Sequence, residues 1–543
     1  MSRSDKLALL LSFIAIAAAY LVASRVFENI PHLEDEVAYV WQAKLMAAGK
    51  VTIPTPIEPK KFLIPFVVDY NGQRFGKYPL GWPALLAVGI KLGMREWVNP
   101  LLAGLAVWLT YVLGKKLMGE VVGGLAALLT VTSPFFLVNV GTLLSHALGL
   151  VLSLGFVLAW WGMVEKDEGE GMKDEAGRAD EENRRKGEKE KRRDGEGMGW
   201  LAAVTAGLVL GVFAISRPFT AIGVAIPIGF HGLYLLIRGS LEVRKRVLVV
   251  GIIALVVSLL HLLWQYAATG DPLLNLYTLW WEYDKVGFGP GIGVGENGHT
   301  LRQAWINTKQ SLRVGYSDLF GWPMISWLFL PFGVWAARRN GRMLVAGSIY
   351  VSLLVLYLGY WIGAWLFGPR YQFDGLYSLT LLSAAGMAWL AGWRSVPENR
   401  NSPPAESGLS PTDNWRKARA VGITALIAVL FLGNLIFYLP ARLHSMYGLY
   451  EMTEARMAPF LTPEAQALVP AVIIVHGNRW TDYGTLLDLE DPFLASPFIF
   501  TFGDKSTFPA VLLETFPDRG VYHYYMDEEP FRFYTDRVPE FGP

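Results

Sequence analysis

Charge is nearly absent from most of this chain, and no other feature constrains its fold as tightly. Of its 95 Asp, Glu, Lys and Arg residues, 23 fall within residues 165–198 and 22 within residues 440–543. The other 405 residues carry 50 charges, while 52% of the whole chain is hydrophobic. So much apolar surface cannot be buried in one water-soluble globule, so lipid must cover part of it. The pattern predicts an all-α polytopic membrane protein. Eleven runs of spanning or near-spanning length lie near 7–26, 97–114, 121–138, 142–164, 200–216, 218–237, 246–265, 321–337, 343–363, 372–392 and 419–439. The first is longer than a signal-peptide core and is read as a retained anchor.

Lys and Arg in the short loops orient the chain. One set of connections holds sixteen, from Arg3 and Lys6 through Lys115, Arg238, Arg338, Arg394 and Arg400 to Arg419; the alternate set holds Arg217 and Arg370 alone. The N-terminus is therefore expected in the cytoplasm, together with the Glu/Lys/Arg-rich insert 165–198, read as a solvated loop. The C-terminus is expected outside a plasma membrane. Long outer loops then cover 28–96 and 266–320. Residues 1–439 form a membrane domain and 440–543 a small extracytoplasmic α/β domain, with ALVPAVIIVHG, SPFIFTFG and GVYHYYM as strands. The chain lacks Cys, which excludes disulfides and thiolate chemistry. No basic patch is interleaved with stacking aromatics, so nucleic acid is not an expected partner.

The first outer loop concentrates the candidate chemistry. After Pro31, Val37, Trp41, Leu45 and Ala48 form a helical apolar stripe ended by Gly49, with Asp35, Tyr39 and Gln42 on the other side. Asn71-Gly72 between two β-rich runs signals a hairpin, and KYPLGWPALLAVGIKLG reads as a short interfacial helix. Adjacent Asp35 and Glu36 offer a general base or a metal-binding carboxylate at the membrane surface, or an acidic first turn that only complements the helix dipole. Lys77 can neutralise a phosphate at headgroup depth or merely snorkel. Arg217 and Arg370 stand against the positive-inside trend, which points to an anionic ligand or an internal ion pair. In the Gly-rich outer loop, His299 is a further candidate ligand or acid/base; His146 has the same standing at the outer end of a span. GxSxG, HExxH and Walker motifs are absent.

HLEDEVAYVWQAKLMAAG, following an uncleaved first span, resembles the first outer loop of the GT-C integral-membrane glycosyltransferases. It is most similar to the bacterial relatives of the dolichyl-phosphate-mannose–protein mannosyltransferases and to the aminoarabinose transferases of lipid A. Asp35, Glu36, Tyr39, Ala43 and Gly49 match that loop, and GKYPLGWP, KKLMG, SPFF, RPFTA and GPRY resemble further landmarks over residues 7–440. The resemblance implies a polyprenyl-phosphate sugar donor, inversion at the transferred sugar, and a protein, lipid or polysaccharide acceptor. It implies Asp35 as the base and Glu36 as an orienting group. It implies that Lys77 and Arg370 bind the lipid phosphate that leaves, and Tyr39, Arg217, Tyr371 and His299 complete the substrate-binding candidates. The aminoarabinose enzymes carry a carboxylate directly before the lysine, implicated in metal binding; this chain has Gly76, so a divalent metal is left open.

A lipid-linked-sugar flippase or another transporter is the main rival. It predicts mid-membrane charges and matched half-repeats, whereas these charges cluster at one face and no such repeat is found. A non-catalytic scaffold leaves Asp35 and the outer arginines without a role.

Overall fold

The computed structural model describes residues 2–168, 181–393, 411–477, 479–503, 509–526 and 533–534. Of the charges used for orientation, Arg394 and Arg400 lie outside the described residues, as do residues 169–180 of the charged insert.

Helix α1 (Arg3–Arg25) is followed by the segment expected outside: α2 (Glu34–Ala47), strands β1 (Ile53–Pro54), β2 (Val67–Tyr70) and β3 (Gln73–Gly76), and α3 (Gly81–Lys91). The hairpin lies where the sequence puts it, with Asn71 and Gly72 both at positive φ as a two-residue primed turn requires. Then come α4 (Val98–Met118), α5 (Glu120–Thr132), α6 (Pro134–Val140), α7 (His146–Glu168), α8 (Glu181–Ala214), α9 (Pro218–Arg238), α10 (Leu241–Ser258) and α11 (Leu260–Thr269). Within the segment 266–320 lies α12 (Leu301–Asp318), and after it follow α13 (Leu330–Ala337), α14 (Gly341–Tyr357), α15 (Leu376–Ala391) and α16 (Pro411–Gly433).

Among the described residues seven helices are long and apolar enough to cross a membrane, and the bent pair α5–α6 makes an eighth. The 61° bend falls at Ser133-Pro134, where proline lacks an amide hydrogen and pushes Ser133 into extended backbone; the Ser133 hydroxyl then caps α6 by accepting from the Phe136 N–H. Leu10, Phe13, Leu248, Ile252 and Leu255 remain exposed on α1 and α10, as lipid-facing residues would. The chain is a multi-pass membrane protein. Three expected runs are shorter as helices: α13 has 8 residues, α14 has 17 and α15 has 16. The run at 142–164 turns helical only from His146. The second half of the charged insert, expected as loop, belongs to α8, in keeping with the helix propensity of Glu, Lys and Arg.

The C-terminal segment forms a four-stranded sheet in the order β5-β4-β6-β7, from β4 (Ala471–His476), β5 (Phe498–Gly503), β6 (Gly520–Tyr525) and β7 (Phe533–Tyr534). The first three are the expected strands, and β4 runs parallel to both β5 and β6, which is why VIIV is apolar on both faces. This unit does not seal its own core. Ile30 joins the cluster around Phe460 on one face, and Phe62 joins Val472, Ile474 and Ile499 on the other. Trp480 and Leu487 in turn cover the Val37–Trp41–Leu45 stripe of α2. Salt bridges add to the seam. The Arg95 guanidinium grips Asp488 at 2.5 and 2.9 Å, and Lys44 Nζ donates to the Asp488 and Glu490 carbonyls at 2.7 and 2.8 Å.

Candidate active site

The acidic pair divides between two tasks. Glu36 turns back and accepts from the His32 and Leu33 N–H groups at 2.9 and 3.0 Å, capping α2, and from the Leu143 N–H at 2.6 Å, tying α2 to the α6–α7 turn. It is 1% exposed, and burial pushes its carboxyl up to about 7 against the pull of those three donors. Glu36 is therefore absent from the cavity wall described next. Asp35 and Tyr39, one helical turn apart, both reach that wall.

The cavity holds about 380 Å³ and is lined from five separate stretches of chain. Asp35 receives a hydrogen bond from the Tyr78 hydroxyl and lies 3.3 Å from Arg370 Nη2. Lys77 follows β3 and is 3% exposed. Its ammonium stands 3.6 Å from the centre of the Phe66 ring and about 5 Å from those of Tyr277, Trp281 and Tyr78, a cage of ring faces that stabilises a cation. Among the described residues its one acidic neighbour within ion-pair reach is Asp284, 3.5 Å away, which also accepts from Tyr360 OH at 3.2 Å and Trp361 Nε1 at 3.0 Å. Burial lowers the lysine's pKa, and the carboxylates of Asp284 and Asp35 oppose that shift.

Arg217, just ahead of α9, donates to Ser145 Oγ at 2.8 Å and lies 3.2 Å from the fully buried Asp374 carboxylate. Asp374 can come this close because position 149 of α7 is glycine, where a Cβ would overlap its oxygen. His146 Nδ1 lies 4.0 Å from the same carboxylate, and its residue lines the cavity. Tyr371 stacks on Tyr357 with ring centres 4.9 Å apart, and both face the cavity.

The candidates thus distribute unevenly. Asp35, Tyr39, Lys77, Arg217, Arg370 and Tyr371 share the cavity, as does His146. His299 does not: its ring stacks on Phe288 and contacts the Leu358 carbonyl through Nε2 at 2.9 Å, while its backbone bridges to Gly289, so it holds the Gly-rich loop in shape. Sequence reasoning missed Asp284 and Asp374, whose partners lie 207 and 157 positions away, and also Tyr78, whose place beside Lys77 was its only signal. A divalent metal, left open by the sequence, has no cluster of three donors among the described residues. A Cβ at Gly76 would sit 2.6 Å from Gln42 Oε1, so a larger residue there would require the Gln42 side chain to move.

No family model matches the chain, and no curated protein matches it in sequence. In structure it is similar to ArnT from Cupriavidus metallidurans in the apo state, with a TM-score of 0.55 over 96% of this chain and 93% of that one at 13% identity. It is similar to ArnT bound to undecaprenyl phosphate with a TM-score of 0.54 over 90% and 85% of the two chains, also at 13% identity. The oligosaccharyltransferase AglB from Archaeoglobus fulgidus, in complex with an inhibitory peptide and a dolichol-phosphate, aligns at a TM-score of 0.47 and 14% identity over 95% of this chain and 69% of its own. The likeness to ArnT is one of fold, and the chain has the GT-C fold.

Proposed function

We propose that this protein transfers a glycosyl group from a polyprenyl-phosphate-linked sugar to an acceptor hydroxyl at the outer face of the membrane, with inversion. One observation carries the reading: a carboxylate, Asp35, and three cations, Lys77, Arg217 and Arg370, converge from separate segments on one cavity. The GT-C fold and the undecaprenyl phosphate in the ArnT complex support the same donor class.

In this reading the donor phosphate takes Arg370 and Lys77, each of which sits in a long ion pair of 3.3 or 3.5 Å that a phosphate can displace. Losing Arg370 frees the Asp35 carboxylate to accept the acceptor's hydroxyl proton. The acceptor oxygen bonds to the anomeric carbon from the face opposite the phosphate, and the carbon–oxygen bond to phosphate breaks with its electron pair. Polyprenyl phosphate leaves carrying the developing negative charge, which the fixed cations stabilise. Tyr39 and Tyr371 shape the wall around the sugar, and Glu36 orients α2 rather than touching substrate.

The same reading includes eleven crossings, with α13, α14 and α15 among them, a cytoplasmic N-terminus and an extracytoplasmic unit from residue 440. The salt bridge of Lys115 to Asp5 at 2.6 Å supports it, because it places the α4–α5 turn beside the N-terminus, at the opposite end of α1 from α2. The test is to incubate the purified protein with labelled polyprenyl-phosphate sugars, with and without acceptor hydroxyls. Acceptor-dependent release of free polyprenyl phosphate is expected. Movement of intact donor across the bilayer without release would make the protein a flippase.

A further inference from the structure

Helix α12 is held at the outer surface along one side and left uncovered along the other. Thr300 caps its start by accepting from the Gln303 N–H at 3.2 Å, and its inner face is Ala304, Asn307, Ser311, Gly315 and Asp318. Asn307 Nδ2 donates to the Trp361 carbonyl at 3.0 Å and Ser311 Oγ to the Ala364 carbonyl at 2.9 Å, beyond the end of α14. Asp318 accepts from Tyr438 OH at 2.6 Å and pairs with Arg442 at 2.9 Å, in the last turns of the long helix that ends at His444. The helix therefore lies across the outer mouths of the spans instead of crossing with them.

Its outer face is sorted by chemistry. At 3.6 residues per turn, Leu301, Trp305, Leu312 and Tyr316 line one edge, Lys309, Arg302 and Arg313 form the adjoining strip, and Ile306, 47% exposed, lies just beyond Arg313. Leu301 is 74% exposed and Trp305 62%. The three cations are exposed and, among the described residues, none has an ion-pair partner. Three unpaired cations on a translocated segment oppose the positive-inside trend, and they fall on one strip beside an aromatic–aliphatic edge. That is the pattern of a helix lying in an interface, with Trp and Leu in the acyl boundary and Lys and Arg among headgroup phosphates. Val286, Phe288 and Val294 of the preceding loop are likewise exposed apolar residues.

We infer that α12 docks on the outer leaflet and binds the phosphate groups of anionic phospholipids through Arg302, Lys309 and Arg313. This surface is separate from the cavity cations and does not depend on the transfer chemistry. Through Asn307 the helix also holds the backbone of Trp361, a cavity-lining residue, so the docked helix braces the cavity wall.

The chain has no Cys, so single nitroxide labels can be placed on the full-length protein without background. Labels at Trp305→Cys and Gln310→Cys, about 140° apart on the helix, would be read in nanodiscs for collision with oxygen and with a nickel chelate. The Trp305 label is expected to favour oxygen several-fold and the Gln310 label the chelate. Adding phosphatidylglycerol to phosphatidylcholine discs should slow the Gln310 label, and the R302Q/K309Q/R313Q variant should lose that response while keeping the thermal unfolding temperature. Equal nickel accessibility at both sites would make α12 a water-facing helix and overturn the inference. So would a Gln310 label indifferent to phosphatidylglycerol, or one slowed equally by inorganic phosphate in phosphatidylcholine discs.

Discussion

Lys77 holds its charge in a cage of rings with the Asp284 carboxylate 3.5 Å away, so its protonation responds to small changes in what surrounds it. Burial has already lowered its pKa, and deprotonation removes the charge a donor phosphate would meet. Donor affinity should therefore fall as pH rises into a range below that of an ordinary lysine. Lys77→Arg should abolish this pH dependence without restoring full affinity, because a planar fork does not fill the space of a compact ammonium. Donor titrations in detergent across pH would show both effects; an identical pH profile for Lys77→Arg would remove Lys77 from the phosphate site. Lys77→Ala and Arg370→Ala should each weaken donor binding roughly 10- to 100-fold, as the loss of one charge-assisted hydrogen bond does. Glu36→Gln acts elsewhere. It replaces an acceptor oxygen with an amide donor facing backbone N–H groups, which should destabilise the fold by about 1–3 kcal/mol in chemical or thermal unfolding.

At the scale of elements, α2 is held between the helical bundle and the C-terminal sheet. Its start is tied to the α6–α7 turn through Glu36, and its far end to the C-terminal segment through Lys44. Arg95→Ala would leave Asp488 buried without its main counter-charge, which should cost about 3 kcal/mol and loosen the seam. A variant with unchanged stability would mean that apolar packing through Phe62 and Trp480 suffices. Gly149→Ala on α7 should displace the fully buried Asp374, let Arg217 swing from its place, and lower both donor affinity and stability, the latter by the roughly 1–3 kcal/mol that overpacking costs, read as a fall in unfolding temperature. Elements governed by local rules were readable from the sequence: α2 from its apolar stripe and the Gly49 stop, the hairpin from Asn71-Gly72, and three strands from apolar runs between turns. The pairing of Lys77 with Asp284 and of Arg217 with Asp374 was not, because it depends on how distant segments come together. The described part of the charged insert in α8, residues 181–198, departs from the expected loop for a different reason. Its composition suits a solvated loop and a solvated helix equally, and periodicity cannot separate them where no face is apolar.

For the molecule as a whole, orientation decides whether cavity and donor share a compartment. A reporter fused after Pro543 should be active outside the cytoplasm, and one inserted at Glu182 inside it; the reverse pattern would put the Asp35 cavity on the cytoplasmic side. The membrane class of the chain was legible from its charge distribution alone, whereas the number of crossings was not, since α13 to α15 fall near or below the length a bilayer requires. The C-terminal sheet, expected as a small α/β domain, borrows Ile30 and Phe62 from the segment between α1 and α3, so that segment and the sheet share their apolar cores. The proposed transfer reaction turns on Asp35, and the most direct measurement of it pairs two readings on Asp35→Asn in nanodiscs: affinity for a polyprenyl-phosphate sugar, and acceptor-dependent release of polyprenyl phosphate. With Asp35 as the base, donor affinity stays within a few-fold of the unaltered protein while release falls roughly 10²- to 10⁴-fold. Release at the unaltered rate from a folded Asp35→Asn protein would contradict it.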